Sequence, residues 1–304
     1  MSITGYTDRC AIGGHIGILW PGNGSKVSLD ITGMGTTPIN TGTISYHDKE
    51  NVNAMRHPVA GGVIGLIMGS TVPVEFSIKD CHNSGKIDRI TPSSSKFVIE
   101  ASAEASAGGI VGNIGFQSST NGYTKVTGSV ENCSNSAQIT INAFTREDAT
   151  FHDHHIEKTA SQSFLGGIIG FSHAKDGLVT VRNCSNSGYM RHTAGNAGGI
   201  VGRIQSNTIV TGTKNGSDIT YTTNTGRVGE FGLDKPATYL STGYAYSGGI
   251  VGAMIYTDAS DKSKIEYCHN AGDIAGSHVL NESTGKGTAR PTAGGIIGQY
   301  DFGR

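Results

Sequence analysis

The sequence predicts an all-β chain: a single-stranded parallel β-solenoid of about six three-strand coils, with long loops leaving one corner. Three observations predict it. A Gly-Gly pair, two mostly branched apolar residues and another Gly recur seven times, beginning at Gly13, Gly61, Gly108, Gly166, Gly198, Gly248 and Gly294. A second signature, Asn-x-Gly or a close variant followed by an apolar residue, comes after each of the first six copies. No stretch keeps a helical period over ten or more residues, whereas short Ile- and Val-rich runs punctuated by Gly, Asn, Ser and Thr read as strands and turns. A paired signal repeating along almost the whole chain means one structural unit stacked on itself.

Each unit reads as three strands. The first contains the glycine signature, as in Gly108-Gly109-Ile110-Val111-Gly112. The second alternates, as in Val74-Glu75-Phe76-Ser77-Ile78 and Leu178-Val179-Thr180-Val181, so one face turns inward. The third follows the Asn turn and carries an inward apolar residue: Ile44, Ile87, Ile139, Met190, Ile219 or Ile274. The coils span approximately 11–60, 61–107, 108–165, 166–197, 198–247 and 248–293, with a partial seventh over 294–304, all in one repeat domain. Stacked coils place equivalent residues about 4.8 Å apart. The glycine pairs then serve a positive-φ turn or a close approach of neighbouring coils.

Two side-chain ladders follow from this stacking. Asn40, Asn83, Asn135, Asn186, Asn215 and Asn270 occupy one turn position and are expected to hydrogen-bond from coil to coil. Cys81, Cys133, Cys184 and Cys268 occupy another and are read as buried free thiols, because no Cys-x-x-Cys spacing suggests zinc. Thr213 and Pro38 stand in their place in two other copies, so a small side chain is what the position requires.

The Gly-Gly-Ile-Val-Gly and Asn-Cys-Ser-Asn-Ser-Gly patterns resemble the GLUG repeats of bacterial surface proteins, many from gut Bacteroidetes. Similar repeats accompany immunoglobulin A-cleaving metalloproteases. The resemblance implies an extracellular or cell-surface location and a non-catalytic role. The chain has no His-Glu-x-x-His, so the zinc chemistry of those larger proteins is not expected in it, and no cofactor is implied.

Composition narrows the partners. A formal charge of −1 from 23 basic and 24 acidic residues, without basic clusters, excludes a nucleic-acid backbone as partner. The longest apolar run, Ala60 to Gly69, is too short and glycine-rich to span a bilayer. The start, Met1-Ser2-Ile3-Thr4-Gly5, lacks the features of a signal peptide.

Candidate binding residues come from where the coils differ, between the third strand and the next glycine signature. The short connection Arg191–Ala197 between the long ones Thr140–Leu165 and Thr220–Ser247 suggests a notch. Tyr221, Phe231, Tyr239, Tyr244 and Tyr246 would line it and suit a glycan or a surface protein of a host or bacterium. His152 and His154 share a strand face in the sole metal-like cluster of the sequence. No polar cap is visible at the ends, so end-to-end self-association is a further expectation. The leading function is an adhesion or binding module that is also a rigid spacer. The alternatives are a structural subunit of an extracellular fibre or phage particle, and a glycan-active β-helix enzyme. The last would need paired carboxylates, while the strands carry only scattered acids: Glu75, Asp80, Glu131 and Glu266.

Overall fold

The computed structural model describes residues 9–22, 24–35, 37–45, 57–88, 105–115, 124–141, 163–192, 195–229, 237–238, 245–256, 259–276, 279–280 and 291–302. They form a parallel β-solenoid, as the repeats require. Two seven-stranded and two six-stranded sheets run along the stack, a four-stranded sheet covers its first four coils, and every pairing within them is parallel. Each of the first four coils therefore has five short strands, where the sequence reading expected three; in the fifth and sixth the last is reduced to single bridges at Val228 and Ile274. In the second coil these are His57–Gly61, Ile64–Ile67, Val74–Lys79, His82–Asn83 and Ile87–Asp88.

The extra strands have a local cause. The glycine signature is not one strand but a corner between two: Gly61 ends the first-sheet strand, Gly62 and Val63 bend, and Ile64 begins the second. The hydrogen bonds pass round the corner without interruption. Gly62 N donates to Gly108 O, and both Val63 N and Ile64 N donate to Ile110 O of the next coil. The Asn turn likewise separates two strands instead of preceding one, because His82–Asn83 pairs with Ser134–Asn135 before the chain turns into Ile87–Asp88.

Close approach, not positive φ, is what demands the glycine pair. A Cβ on Gly61 would fall 1.9 Å from the carbonyl oxygen of Ile64 across the corner. One on Gly62 would fall 2.0 Å from the carbonyl oxygen of Gly109 in the next coil and 2.7 Å from the Asn83 carboxamide carbon. Neither glycine lies in the left-handed region. The two sequence signatures thus occur together because the Asn carboxamide of each coil packs behind the second Gly of that coil.

The interior has two lobes. A larger core collects Val63, Ile64, Ile67, Val74, Ile78 and their equivalents from the second, third and fourth sheets. A narrower one lies between the first and fifth sheets, with Ala60, Ala107, Leu165 and Ala197 against Ile44, Ile87, Ile139 and Met190. Ile64, Ile78, Ile87, Ile110 and Ile139 are completely buried. Each such side chain contributes about 1.5–3 kcal/mol, and only by stacking can the coils bury it.

The fifth coil departs from its neighbours. After the third-sheet strand Thr208–Thr211 the chain makes an antiparallel hairpin, Thr213–Asn215 with Asp218–Thr220, and only then enters the fourth sheet at Thr222–Asn224. Its tip is Gly216-Ser217, with glycine at positive φ in the first central position that a two-residue hairpin turn favours. The hairpin leaves the frame between the third and fourth sheets, whereas the variable connections of the sequence run from the fifth sheet to the first.

Candidate functional site

The asparagine ladder exists, with one member different from the sequence expectation. Asn40 Nδ2 donates to Asn83 Oδ1, Asn83 to Asn135, Asn135 to Asn186, Asn186 to Asn224 and Asn224 to Asn270, at 2.7–2.8 Å throughout. Each inner carboxamide also donates to the backbone oxygen two residues on, as Asn186 does to Gly188 O at 3.1 Å. Asn215 is not in the ladder. It is an exposed residue of the hairpin, paired with Asp218. Asn224 takes the place, with its carboxamide behind Gly199. The cause is the insertion: Asn215-Gly216-Ser217-Asp218-Ile219 imitates the turn signature nine residues before the real one, Asn224-Thr225-Gly226-Arg227-Val228. By the same shift Val228, bridged to Met190 and Ile274, is the inward residue expected at Ile219.

The cysteines stack as expected. Cys81, Cys133 and Cys184 are buried and Cys268 is half-buried, all as free thiols. Each Sγ donates to the backbone oxygen two residues earlier, at 3.2 Å for Cys81, Cys133 and Cys268 and 3.3 Å for Cys184. A hydrogen bond with the neighbouring ladder thiol, reinforced by burial, pushes Cys81 and Cys133 well above the usual thiol range. Burial pushes Cys268 up to about 12. Such thiols are poor nucleophiles and poor metal ligands at neutral pH. The substitute in the fifth coil is Thr222, opposite Cys268 and fully buried, with its hydroxyl donating to Thr211 O at 2.6 Å. Thr213 lies in the hairpin instead. Pro38 aligns with His82 and not with Cys81, because the register shifts before Asn40.

Of the expected aromatic notch, Phe231, Tyr239 and Tyr244 lie outside the described residues, as do His152 and His154. Tyr246 is half-buried in the first sheet between Asn196 and Thr292. Tyr221 belongs to a different face, at the base of the hairpin, and is 45% exposed. The structure brings Tyr221 together with two residues that the sequence reading did not select. Its ring centroid lies 6.3 Å from that of His269. Its backbone lies beside that of Tyr267, since Thr222 N donates to Tyr267 O and Thr222 pairs with Cys268.

Tyr267 is unusual in its backbone. The residue before the ladder cysteine adopts positive φ in four coils, and it is Asp80, Asn132 and Asn183 in the earlier three. Asp and Asn tolerate that conformation, but a bulky ring there is strained. Tyr267 adopts φ 49° and remains 39% exposed, so core burial does not compensate. The signal was available in the sequence: where the second, third and fourth coils place Asp80, Asn132 and Asn183 before the cysteine, the sixth places Tyr267.

A second polar cluster is internal. Outside the second lobe of the core, the outward rows of the first and second sheets face each other across the glycine corners. In the second coil the space is filled by Val59, Leu66 and Met68. In the fourth it holds Phe164 stacked on Phe171 at 4.8 Å, with His173 edge-on to Phe171 at 6.3 Å. The Arg203 guanidinium covers Phe164 at 5.2 Å. Burial, with the cations Arg203 and Lys175 nearby, lowers His173 to about 4, so it is neutral at physiological pH. Both of its ring nitrogens, Ser106 Oγ and Asn113 Oδ1 find no hydrogen-bond partner among the described residues.

Three of the strand carboxylates meet cations, and Asp80 N donates to Glu131 O of the next coil at 3.1 Å. Glu75 meets Lys26, Glu131 meets Arg182 at 3.8 Å and Glu266 meets Lys264 at 2.9 Å. In the third sheet Glu131 has Lys79 and Arg182 as its register neighbours. Among the described residues no group of three or more His, Cys, Asp or Glu could hold a metal ion. No helix among them is long and apolar enough to cross a membrane.

Comparison with protein-family models, with curated proteins and with solved structures finds no match to this chain.

Proposed function

We propose that this chain is a non-enzymatic repeat domain of an extracellular or cell-surface protein, acting as an adhesion or binding module and as a rigid spacer. The observation that carries the reading is the division of labour in the fold. The inward asparagine and the branched apolar core recur from coil to coil, while the hairpin and the Tyr221–Tyr267–His269 corner break the repeat where side chains are exposed. A frame held constant beneath variable outward groups is how solenoids present binding surfaces. The resemblance to GLUG repeats supports the same location and role.

The test is retention. Beads coated with the chain are expected to be held on epithelial or bacterial cell layers more strongly than albumin-coated beads. Equal retention would overturn the reading.

A second reading, a structural subunit stacking end to end, draws on the position of exposed apolar side chains. Ile18, Trp20 and Met34 lie in the first coil, where Met34 borders a hollow of about 390 Å³ that Ile31, Pro38 and Ile39 also line. Ile296 and Tyr300 lie in the seventh. Light scattering that shows mass growing with concentration would favour this reading over the first.

A further inference from the structure

We propose that Tyr221, Tyr267 and His269 form a carbohydrate-binding site that stacks the C–H face of a pyranose sugar. The proposal rests on the adhesion reading and deepens it by naming the ligand class and the residues.

The first support is strain without structural return. Positive φ disfavours a bulky side chain, and such outliers persist where something other than stability retains them. In three coils the position is filled by residues that tolerate the conformation. In the sixth it is filled by a tyrosine that lies outside the core and stays 39% exposed.

The second support is convergence. The hairpin delivers Tyr221 to the residue directly before Thr222, which pairs with Cys268, so Tyr221 and Tyr267 precede paired residues in adjacent coils. The exposed His269 ring approaches Tyr221 from the same coil as Tyr267. Tyr221 and Tyr267 are among seven exposed large apolar side chains of the described residues, and the other five lie in the first and seventh coils.

The third support is the chemistry of the surround, which distinguishes a sugar from a protein partner. The exposed residues preceding the two rings are Thr220 and Glu266, the latter paired with Lys264 at 2.9 Å, while the nearest aliphatic residues along the strands, Ile219 and Ile265, are half-buried. Protein interfaces gather apolar side chains into a desolvated centre. Rings flanked by hydroxyl, carboxylate and ammonium groups instead match a ligand with apolar faces and hydrogen-bonding edges.

The experiment probes the wild-type chain, Tyr267→Asn and Tyr221→Ala on a printed array of neutral and acidic oligosaccharides. Calorimetric titration with the best-retained soluble oligosaccharide follows. Tyr267→Asn installs the residue found at this position in the third and fourth coils, so it is expected to melt at the same or a higher temperature. That separates loss of binding from loss of fold. The expected result is retention of at least one pyranose oligosaccharide by the wild type, with roughly tenfold or greater weakening in each variant. An array that retains nothing, or titrations that both variants leave unchanged, would overturn the proposal. If the chain still holds beads to cells in either case, a protein ligand or another face is responsible and the adhesion reading stands. If it does not, both fall.

Discussion

In the second, third and fourth coils the corner joining the third and fourth sheets is built the same way each time. An Asx residue at positive φ, a buried cysteine and an inward asparagine follow one another as Asp80-Cys81-His82-Asn83, Asn132-Cys133-Ser134-Asn135 and Asn183-Cys184-Ser185-Asn186. In the fifth coil the same corner carries a hairpin and a threonine in place of cysteine, and in the sixth a tyrosine at positive φ precedes Cys268. Yet the inward asparagine persists in both, at Asn224 and Asn270. The difference teaches which parts of the unit are constrained. The asparagine, whose carboxamide bonds the coils above and below, is kept in every coil from the first to the sixth. Groups at the same corner that point outward differ from coil to coil: His82 hydrogen-bonds Ser134, whereas Tyr221 meets His269.

The contrast is broken most severely by adding one carbon atom inside the stack. A Cβ on Gly167 would fall 2.1 Å from Gly199 O and 2.4 Å from the Asn186 carboxamide carbon. Gly167→Ala is expected to lose about 3–5 kcal/mol in denaturant unfolding. Gly295, at the equivalent place in the seventh copy, has nothing within 4 Å, and Gly295→Ala should stay within about 0.5 kcal/mol. Equal losses would mean the glycine pair serves the chain's conformation and not the approach of coils.

Histidine 173 tests the internal cluster. Its folded value of about 4 lies below the ordinary 6.5, so the unfolded chain binds the proton more tightly. The stability it contributes is complete above pH 6.5 and is lost as pH falls toward 4. A depression of this size corresponds to about 3 kcal/mol across that window. Thermal unfolding followed from pH 7 to pH 4 should show this loss, and His173→Phe should flatten it. An unchanged profile in the variant would place the acid sensitivity elsewhere.

The ladder gives an intermediate effect. Asn186→Ala leaves the Asn135 amide without its acceptor and Asn224 Oδ1 without its donor, in a buried position. The expected loss is about 2–4 kcal/mol, against less than about 0.5 kcal/mol for Asn215→Ala on the hairpin. Urea titration of the two variants side by side decides whether Asn224 truly replaced Asn215.

Removing the hairpin should matter least. Thr222 Oγ1 already reaches Thr211 O at 2.6 Å, so the ends of the insertion are adjacent. A chain with Gly212 joined directly to Thr222 is expected to unfold within about 1 kcal/mol of the wild type. A larger loss would show that the hairpin supports the frame.

Much of this architecture could be read from residues. Gly-Gly pairs and asparagine turns are local signs of a global repeat, and the copies constrain one another. The five-strand coil could not be read in the same way, because a glycine corner and a glycine within a strand look alike until neighbouring coils are placed. The fifth copy misled for a definite reason: a hairpin turn and a solenoid turn both use Asn and Gly to reverse the chain, and Thr222 removed the cysteine that would have marked the true register. The aromatic corner was half legible. Tyr221 stood in a variable segment, but Tyr267 and His269 sit within a regular copy, and only the strand pairing brings them to it. Tyr246, equally prominent in the sequence, faces another sheet.

The asparagine ladder also has a direction. All five of its bonds run from the earlier coil to the later, so the carboxamide dipoles align head to tail along the axis. Aligned hydrogen bonds polarise one another, so the central links should be stronger than the terminal ones. The column turns a carbonyl oxygen toward the first coil at Asn40 and amide hydrogens toward the last at Asn270. The two ends of the stack therefore differ in electrostatic sign as well as in sequence, and the coils form a polar rod.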